Sequence, residues 1–173
     1  MIREYKNFLN KSYFEEISNV LCGNNFSWFY NENITYADVD LSTTDINDHG
    51  FSHWIVHPDR LSGSPYEQLF MPLLRMIKEC VKKDKILRAR IDMTMIATEK
   101  IIHEYHQDFK RENIATILYI NETDGETIIK ENGTEKTVQP ETNKLLTFDG
   151  TSWHTGCSPL KHKRRILLNS NYE

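Results

Sequence analysis

Cysteine is scarce: Cys22, Cys80 and Cys157 are the three in 173 residues. They are odd in number, far apart, and none belongs to a CxxC pair. That excludes a disulfide framework and a CxxC zinc site, and it fits a reducing cytoplasm. Long apolar runs are missing as well. No stretch approaches the roughly 18 consecutive apolar residues that a membrane span needs. The opening MIREYKNFLN lacks the apolar core of a secretory signal. Neither sign of charge dominates; a formal net charge of −4 names no partner by itself. No repeat, low-complexity tract or composition break interrupts the chain, so residues 1–173 read as a single domain without linkers.

What is present divides near residue 86. Residues 1–85 carry two helical patterns. Ser12-Tyr13-Phe14-Glu15 has the form of a capping box, Phe14, Ile17, Val20 and Leu21 then share one face, and Gly23 is placed to end the helix. Ser64-Pro65-Tyr66-Glu67 repeats the signal. Tyr66, Leu69, Phe70, Leu73, Ile77, Cys80 and Val81 continue an apolar stripe in which Pro72 predicts a bend or an early stop. Both stripes suit helices covering one face of a sheet.

Residues 86–173 change period. Ile86 to Ala97 alternates, with Ile91, Met93 and Met95 on one side and Asp92 and Thr94 on the other. Ile114 to Asn121 is β-branched and apolar. Glu126 to Glu131 and Glu135 to Val138 flank Asn132-Gly133, a hairpin turn signal. Leu145 to Phe148 and Arg165 to Tyr172 are further short strands. Helices followed by many short strands predict an α+β, mainly β, domain built on a sandwich or barrel.

Within these strands, His106-Gln107-Asp108 is an HxD. If it lies in a strand, both side chains face one interior. An imidazole and a carboxylate leave a divalent iron one ligand short of a facial triad; a distant His154 can supply the third and leave positions open. A buried hydrogen-bonded pair is the plainer reading of the same two residues. A second HxD, His57-Pro58-Asp59, lies in a proline-containing loop before a helix and lacks a downstream partner pattern, so it reads as a decoy.

Further support lies downstream. Trp153-His154-Thr155-Gly156 precedes a loop with Pro159 and the strand beginning at Arg165. Period two puts Arg165, Leu167, Asn169 and Asn171 on one face, and Ile166, Leu168 and Tyr172 on the other. An arginine heading a polar face suits a lumen that holds a carboxylate, which guanidinium can grip bidentately. A one-residue slip would exchange Arg165 with Arg164. On the strand after the HxD, Tyr119 is placed either to give its phenol hydrogen to the same carboxylate or to serve as a core aromatic.

From about Met95 to Tyr172 the chain resembles the 2-oxoglutarate/Fe(II) oxygenases, above all their prolyl 4-hydroxylase-like branch. The resemblance is carried by HQD, ILYIN, DGET, WHTG and RILLNSNY in that order. It implies a double-stranded β-helix, or jelly roll, backed by N-terminal helices. It implies His106, Asp108 and His154 as ligands to Fe(II), with Tyr119 and Arg165 holding the distal carboxylate of 2-oxoglutarate and Asn169 assisting. It also implies O2 as oxidant, ascorbate as reductant, and hydroxylation of an unactivated C–H bond. Two departures stand out. Asp124-Gly125 replaces the family's glycine pair, and the aromatic that animal members often carry before the HxD has no counterpart in Ile96-Ala97-Thr98-Glu99.

For the substrate, a prolyl residue in a peptide or protein lies nearest the motif details. Nucleic-acid demethylation is a second reading, because Lys78, Lys82, Lys83, Lys85, Arg88 and Arg90 form one basic stretch and Lys161, Lys163 and Arg164 another. A solvated face explains the first stretch equally well. A free amino acid or other small molecule is the third. A non-enzymatic metal-binding jelly roll would need a fourth ligand for structural zinc, for which Cys157 is the one rival. His49, His53 and His57 read as a surface segment or a loop over the site mouth, and His103 and Tyr105 flank the HxD where they can meet substrate.

Overall fold

The structure, a computed structural model, describes residues 1–34, 49–61 and 63–173. Two antiparallel sheets form its frame. The strands are β1 (Arg3–Tyr5), β2 (Phe29–Asn31), β3 (Gly50–Val56), β4 (Ile86–Met95), β5 (Ile114–Tyr119), β6 (Thr127–Glu131), β7 (Thr134–Val138), β8 (Leu145–Asp149), β9 (His154–Gly156) and β10 (Arg164–Tyr172). The larger sheet runs in the order β1-β8-β5-β10-β4-β3-β2, and the smaller is β7-β6-β9. The helices are α1 (Lys11–Cys22) and α2 (Glu67–Val81). None is long and apolar enough to cross a membrane.

Period-two side-chain placement sorts the core into two layers. Ala89, Ile91 and Met93 of β4, Leu118 of β5, and Ile166, Leu168 and Tyr172 of β10 pack with Ile17, Leu21, Phe70, Leu73, Leu74 and Ile77 of the helices. The alternate residues face the other way. Ala115, Ile117 and Tyr119 of β5, Leu146 and Phe148 of β8, and Leu167 of β10 meet Ile129 and Val138 of the smaller sheet. Asn132 and Gly133 both have positive φ, 51° and 78°. That backbone is the tight turn expected between β6 and β7.

Three local outcomes differ from the sequence pattern. Asn10, not Ser12, caps α1, its side-chain oxygen accepting from the Tyr13 amide at 3.0 Å. α2 begins later than the Ser64 box places it, with Tyr66 at the cap position; the Ser64 hydroxyl accepts from the Tyr66 amide at 3.2 Å and lies 2.8 Å from His53 Nε2. Residues 1–85 also add strands β1, β2 and β3 to the larger sheet, alongside the two helices.

Pro72 does not end α2. Proline removes one backbone donor and splays the turn around it. Tyr13 reaches from α1 into the gap: its hydroxyl donates to the Leu69 carbonyl at 2.9 Å and accepts from the Leu73 amide at 3.1 Å. One side chain thereby replaces the helical bond that would have joined those two groups.

Candidate metal centre

His106 and His154 face each other across an isolated antiparallel bridge rather than within one strand. Each amide donates to the other's carbonyl at 3.0 Å, which sets the two rings 4.6 Å apart. Two backbone carbonyls then fix the tautomers. His106 Nδ1 lies 3.1 Å from the Glu104 oxygen and His154 Nδ1 lies 3.0 Å from the Ser152 oxygen. A carbonyl only accepts, so each Nδ1 carries the hydrogen and each Nε2 keeps its lone pair. Asp108 completes the group. Its Oδ1 is 3.8 Å from His106 Nε2 and its Oδ2 is 3.9 Å from His154 Nε2.

The three ligating atoms all lie within 4.8 Å of one another, the spacing of groups that can share one cation. Among the described residues, neither Cys157 nor any other cysteine joins them. The Cys157 thiol is buried and pushed up to about 11 by burial and the neighbouring Glu126. His106 is pulled down to about 4 by burial and by His154, so it is neutral at physiological pH, as a metal ligand must be.

Asp108 is held from behind. Arg88 Nη2 donates to Oδ1 at 2.6 Å, and Asn171 Nδ2 donates to Oδ2 at 3.1 Å. Arg88 Nε in turn donates to Asn171 Oδ1 at 2.7 Å. Burial alone would raise the Asp108 pKa, but the Arg88 charge and the two histidines outweigh it and hold the carboxylate well below its usual range.

Arg165 lies in the lumen, 5 % exposed. Its Nε donates to the Gly125 carbonyl at 2.7 Å and its Nη2 to Thr127 Oγ1 at 2.8 Å. Two glycines make that room. A Cβ on Gly125 would stand 2.4 Å from the Cys157 carbonyl and 2.7 Å from Arg165 Cδ; one on Gly156 would stand 2.9 Å from Arg165 Nη1. Arg164 turns the other way, its Nη2 donating to the Cys22 carbonyl at 2.7 Å, where α1 ends. Tyr119 is fully buried behind Arg165. Its hydroxyl is 2.8 Å from the same Thr127 oxygen, and it does not line the cleft. Asn169 does line the cleft, its amide bonded to Asp92, which pairs with Arg90 at 2.6 Å.

One cleft joins these groups. His106, Asp108 and His154 lie on its wall with Arg165 and Asn169, and so does His103, whose Nε2 lies 3.0 Å from Ser158 Oγ. Tyr105 is elsewhere, under the Lys130 ammonium and bonded to Glu135. The second HxD is not part of the wall; His57 Nδ1 accepts from the Asp59 amide. His53 corrects the surface reading of its segment. It is 3 % exposed on β3, bonded to the Ser27 carbonyl at 2.6 Å and ringed by Phe26, Phe29 and Tyr66.

The polar side of β4, read in the sequence from Asp92 and Thr94, extends through Arg88 and Arg90 and forms one wall of the cleft. Arg88, Arg90, Asp92 and Thr94 of β4 all face the cleft. The signal was there, because in Arg88-Ala89-Arg90-Ile91-Asp92-Met93-Thr94 polar and apolar residues alternate strictly. The expected basic stretch is therefore split, with Arg88 and Arg90 in the lumen and the lysines outside.

The sequence matches no protein-family model and no curated protein. Solved structures do match. A 2OG-Fe(II) oxygenase family oxidoreductase from Burkholderia pseudomallei superimposes with a TM-score of 0.76 at 11% identity, covering 99% of this chain and 84% of that one. A Trichoplax adhaerens prolyl hydroxylase, solved with a hypoxia inducible factor peptide fragment, gives 0.69 at 13% identity over 99% and 83%. A Pseudomonas putida prolyl-4-hydroxylase gives 0.64 at 14% over 99% and 92%. The chain has the jelly-roll fold of the 2-oxoglutarate/Fe(II) oxygenases, prolyl hydroxylases included.

Proposed function

We propose that the protein is an Fe(II)- and 2-oxoglutarate-dependent dioxygenase that hydroxylates an unactivated C–H bond. The observation that carries this reading is the convergence of two Nε2 lone pairs and one carboxylate beside a buried arginine in one cleft. Two imidazoles and one carboxylate suit ferrous iron with positions left open, whereas structural zinc takes four protein ligands. His106, Asp108 and His154 would hold the ion. Arg165 would hold the distal carboxylate of the keto acid, through the N–H groups that Gly125 and Thr127 leave free. Tyr119 would act through Thr127, and Asn169 would shape the adjoining wall. When bound, the iron and keto acid together activate dioxygen, and succinate and CO2 leave as co-products.

For the substrate, a prolyl residue in a peptide or protein is the first reading, supported by the motif details and by the prolyl hydroxylases that share the fold. The charged wall of Arg88, Arg90 and Asp92 favours a second, a small polar molecule such as a free amino acid. Succinate release with iron and 2-oxoglutarate, screened against proline-rich peptides, free amino acids and methylated oligonucleotides, decides among them. Asp108→Ala and His154→Ala are expected to abolish substrate-stimulated succinate while the circular dichroism spectrum is kept. Full turnover in either variant refutes the metal assignment.

A further inference from the structure

The charges on the cleft wall do not balance. Among the described residues, Arg88, Arg90 and Arg165 face Asp92 and Asp108, so one positive charge is in excess. Loading the site as proposed above leaves that excess in place, because a divalent ion adds two charges and 2-oxoglutarate removes two. A charge held out of water without a counter-charge is costly. The remaining occupant, the substrate, is the group that can supply one. Position says which arginine receives it. Arg165 serves the keto acid, and Arg88 is spent behind Asp108, with its Nη2 on Oδ1 and its Nε on Asn171. Arg90 is 7 % exposed and braced in place. Asp92 pairs with its Nε at 2.6 Å, and its guanidinium carbon stands 5.3 Å from the centre of the Trp54 ring, close enough for cation and ring to attract. Its Nη2 lies 3.4 Å from the Ile34 carbonyl. Trp54 belongs to β3, on the side of β4 away from β10, so the Arg90 head leans toward the flank of the cleft opposite Arg165. Arg90 also follows Arg88 by two residues on one strand face, about 7 Å along the chain, which a small molecule spans. Asp92 is met on both oxygens, by Arg90 and Asn169, so this wall suits an anion better than a zwitterion.

We propose that the substrate is a small acid of net charge −1 and that Arg90 holds its carboxylate. The inference rests on the function proposed above and takes its small-molecule reading further; the test separates the two. Calorimetric titration into the full chain loaded with Mn(II) and 2-oxoglutarate reads binding without turnover. The probes are N-acetylproline, N-acetylleucine and mandelate, each beside its neutral primary amide, and a proline-rich peptide blocked at both ends. A hydrogen bond between charged groups implies that at least one acid binds about tenfold or more tightly than its amide. Arg90→Gln should erase that preference and Arg90→Lys should keep part of it. The affinity for 2-oxoglutarate should move less in either variant than the affinity for the acid. The preference is read first on the wild type, so the proposal stays refutable if Arg90→Gln does not fold. Acids and amides bound alike, no acid bound, or the blocked peptide bound more tightly than every acid overturns the substrate assignment and leaves the co-substrate reading standing. An acid preference that survives Arg90→Gln overturns the role of Arg90. A wild-type protein that does not bind 2-oxoglutarate overturns the proposed function and this inference together.

Discussion

Replacing Arg88 by methionine tests whether the candidate metal centre is held together by electrostatics. Arg88 and Asp108 are 8 % and 7 % exposed and 2.6 Å apart. Methionine keeps much of the volume and removes the charge, leaving Asp108 buried with Asn171 as its remaining donor. Breaking a buried pair from one side costs about 3–5 kcal/mol. For a chain of this size each kcal/mol is worth about 2–4 °C, so the melting temperature should fall by about 6–20 °C. The loss should depend on pH. In the wild type the Asp108 pKa is depressed, so its contribution is present above the unfolded carboxylate range and is lost only as pH falls through the lower folded value. Without Arg88, burial pushes that pKa above the unfolded value, and protonation relieves the variant. The gap between variant and wild type should therefore begin to narrow as pH falls through the variant's raised value, above the unfolded carboxylate range, and go on narrowing down to the wild type's depressed one. Divalent cation should narrow it too, because the ion returns the missing positive charge and so binds the variant more tightly than the wild type; each tenfold in Kd narrows the gap by about 1.4 kcal/mol. Scanning calorimetry across pH, with and without Mn(II), reads all three. A shift under about 2 °C, or a deficit indifferent to both pH and metal, would mean that the clamp on Asp108 does not carry the charge balance argued here.

Arg165→Ala should chiefly raise the 2-oxoglutarate concentration needed for half-maximal succinate release, by about ten- to a hundredfold, since one carboxylate loses its charged partner; an unchanged requirement would point to a different co-substrate. Tyr13→Phe should lower the melting temperature without touching 2-oxoglutarate binding, because it strips both hydrogen bonds from the Pro72 turn. The cost of two unmet buried groups is about 2–4 kcal/mol, and unchanged stability would mean that water replaces the hydroxyl there.

The C-terminal half was legible because its strands are long enough to alternate. Arg165, Asn169 and Asn171 were placed on one face by period two, and the structure puts Arg165 and Asn169 on the cleft wall and Asn171 against Asp108. The HxD was legible as residue types but not as backbone. His106 and His154 meet through a bridge between distant segments, and local periodicity cannot reveal such a pairing. β1 and β2, three residues each, are too short to alternate, and the pairing that makes them strands is supplied by β8 and β3. His53 looked like a surface residue because a lone polar side chain carries no mark of the aromatic rings that later enclose it.

The basic run before residue 91 failed for a different reason. Lys78 to Arg90 is one stretch interrupted by Glu79 and Asp84, but α2 ends at Val81 with Lys82 capping it in a left-handed backbone, φ 54°, and the chain re-enters as β4. A single charge pattern therefore crosses from a helix surface into the lumen. Once β4 is aligned with β10, the pattern acquires a purpose. Arg88 stands opposite Asn171, Arg90 opposite Asn169, Asp92 opposite Leu167 and Thr94 opposite Arg165. One end of this ladder fixes Asp108, and the other holds the buried arginine with a hydroxyl across from it. A polar face on each of two neighbouring strands is costly in a core unless ligands meet it. On the function proposed above, β4 prepares the cleft for a charged occupant together with the residues from His106 to Arg165.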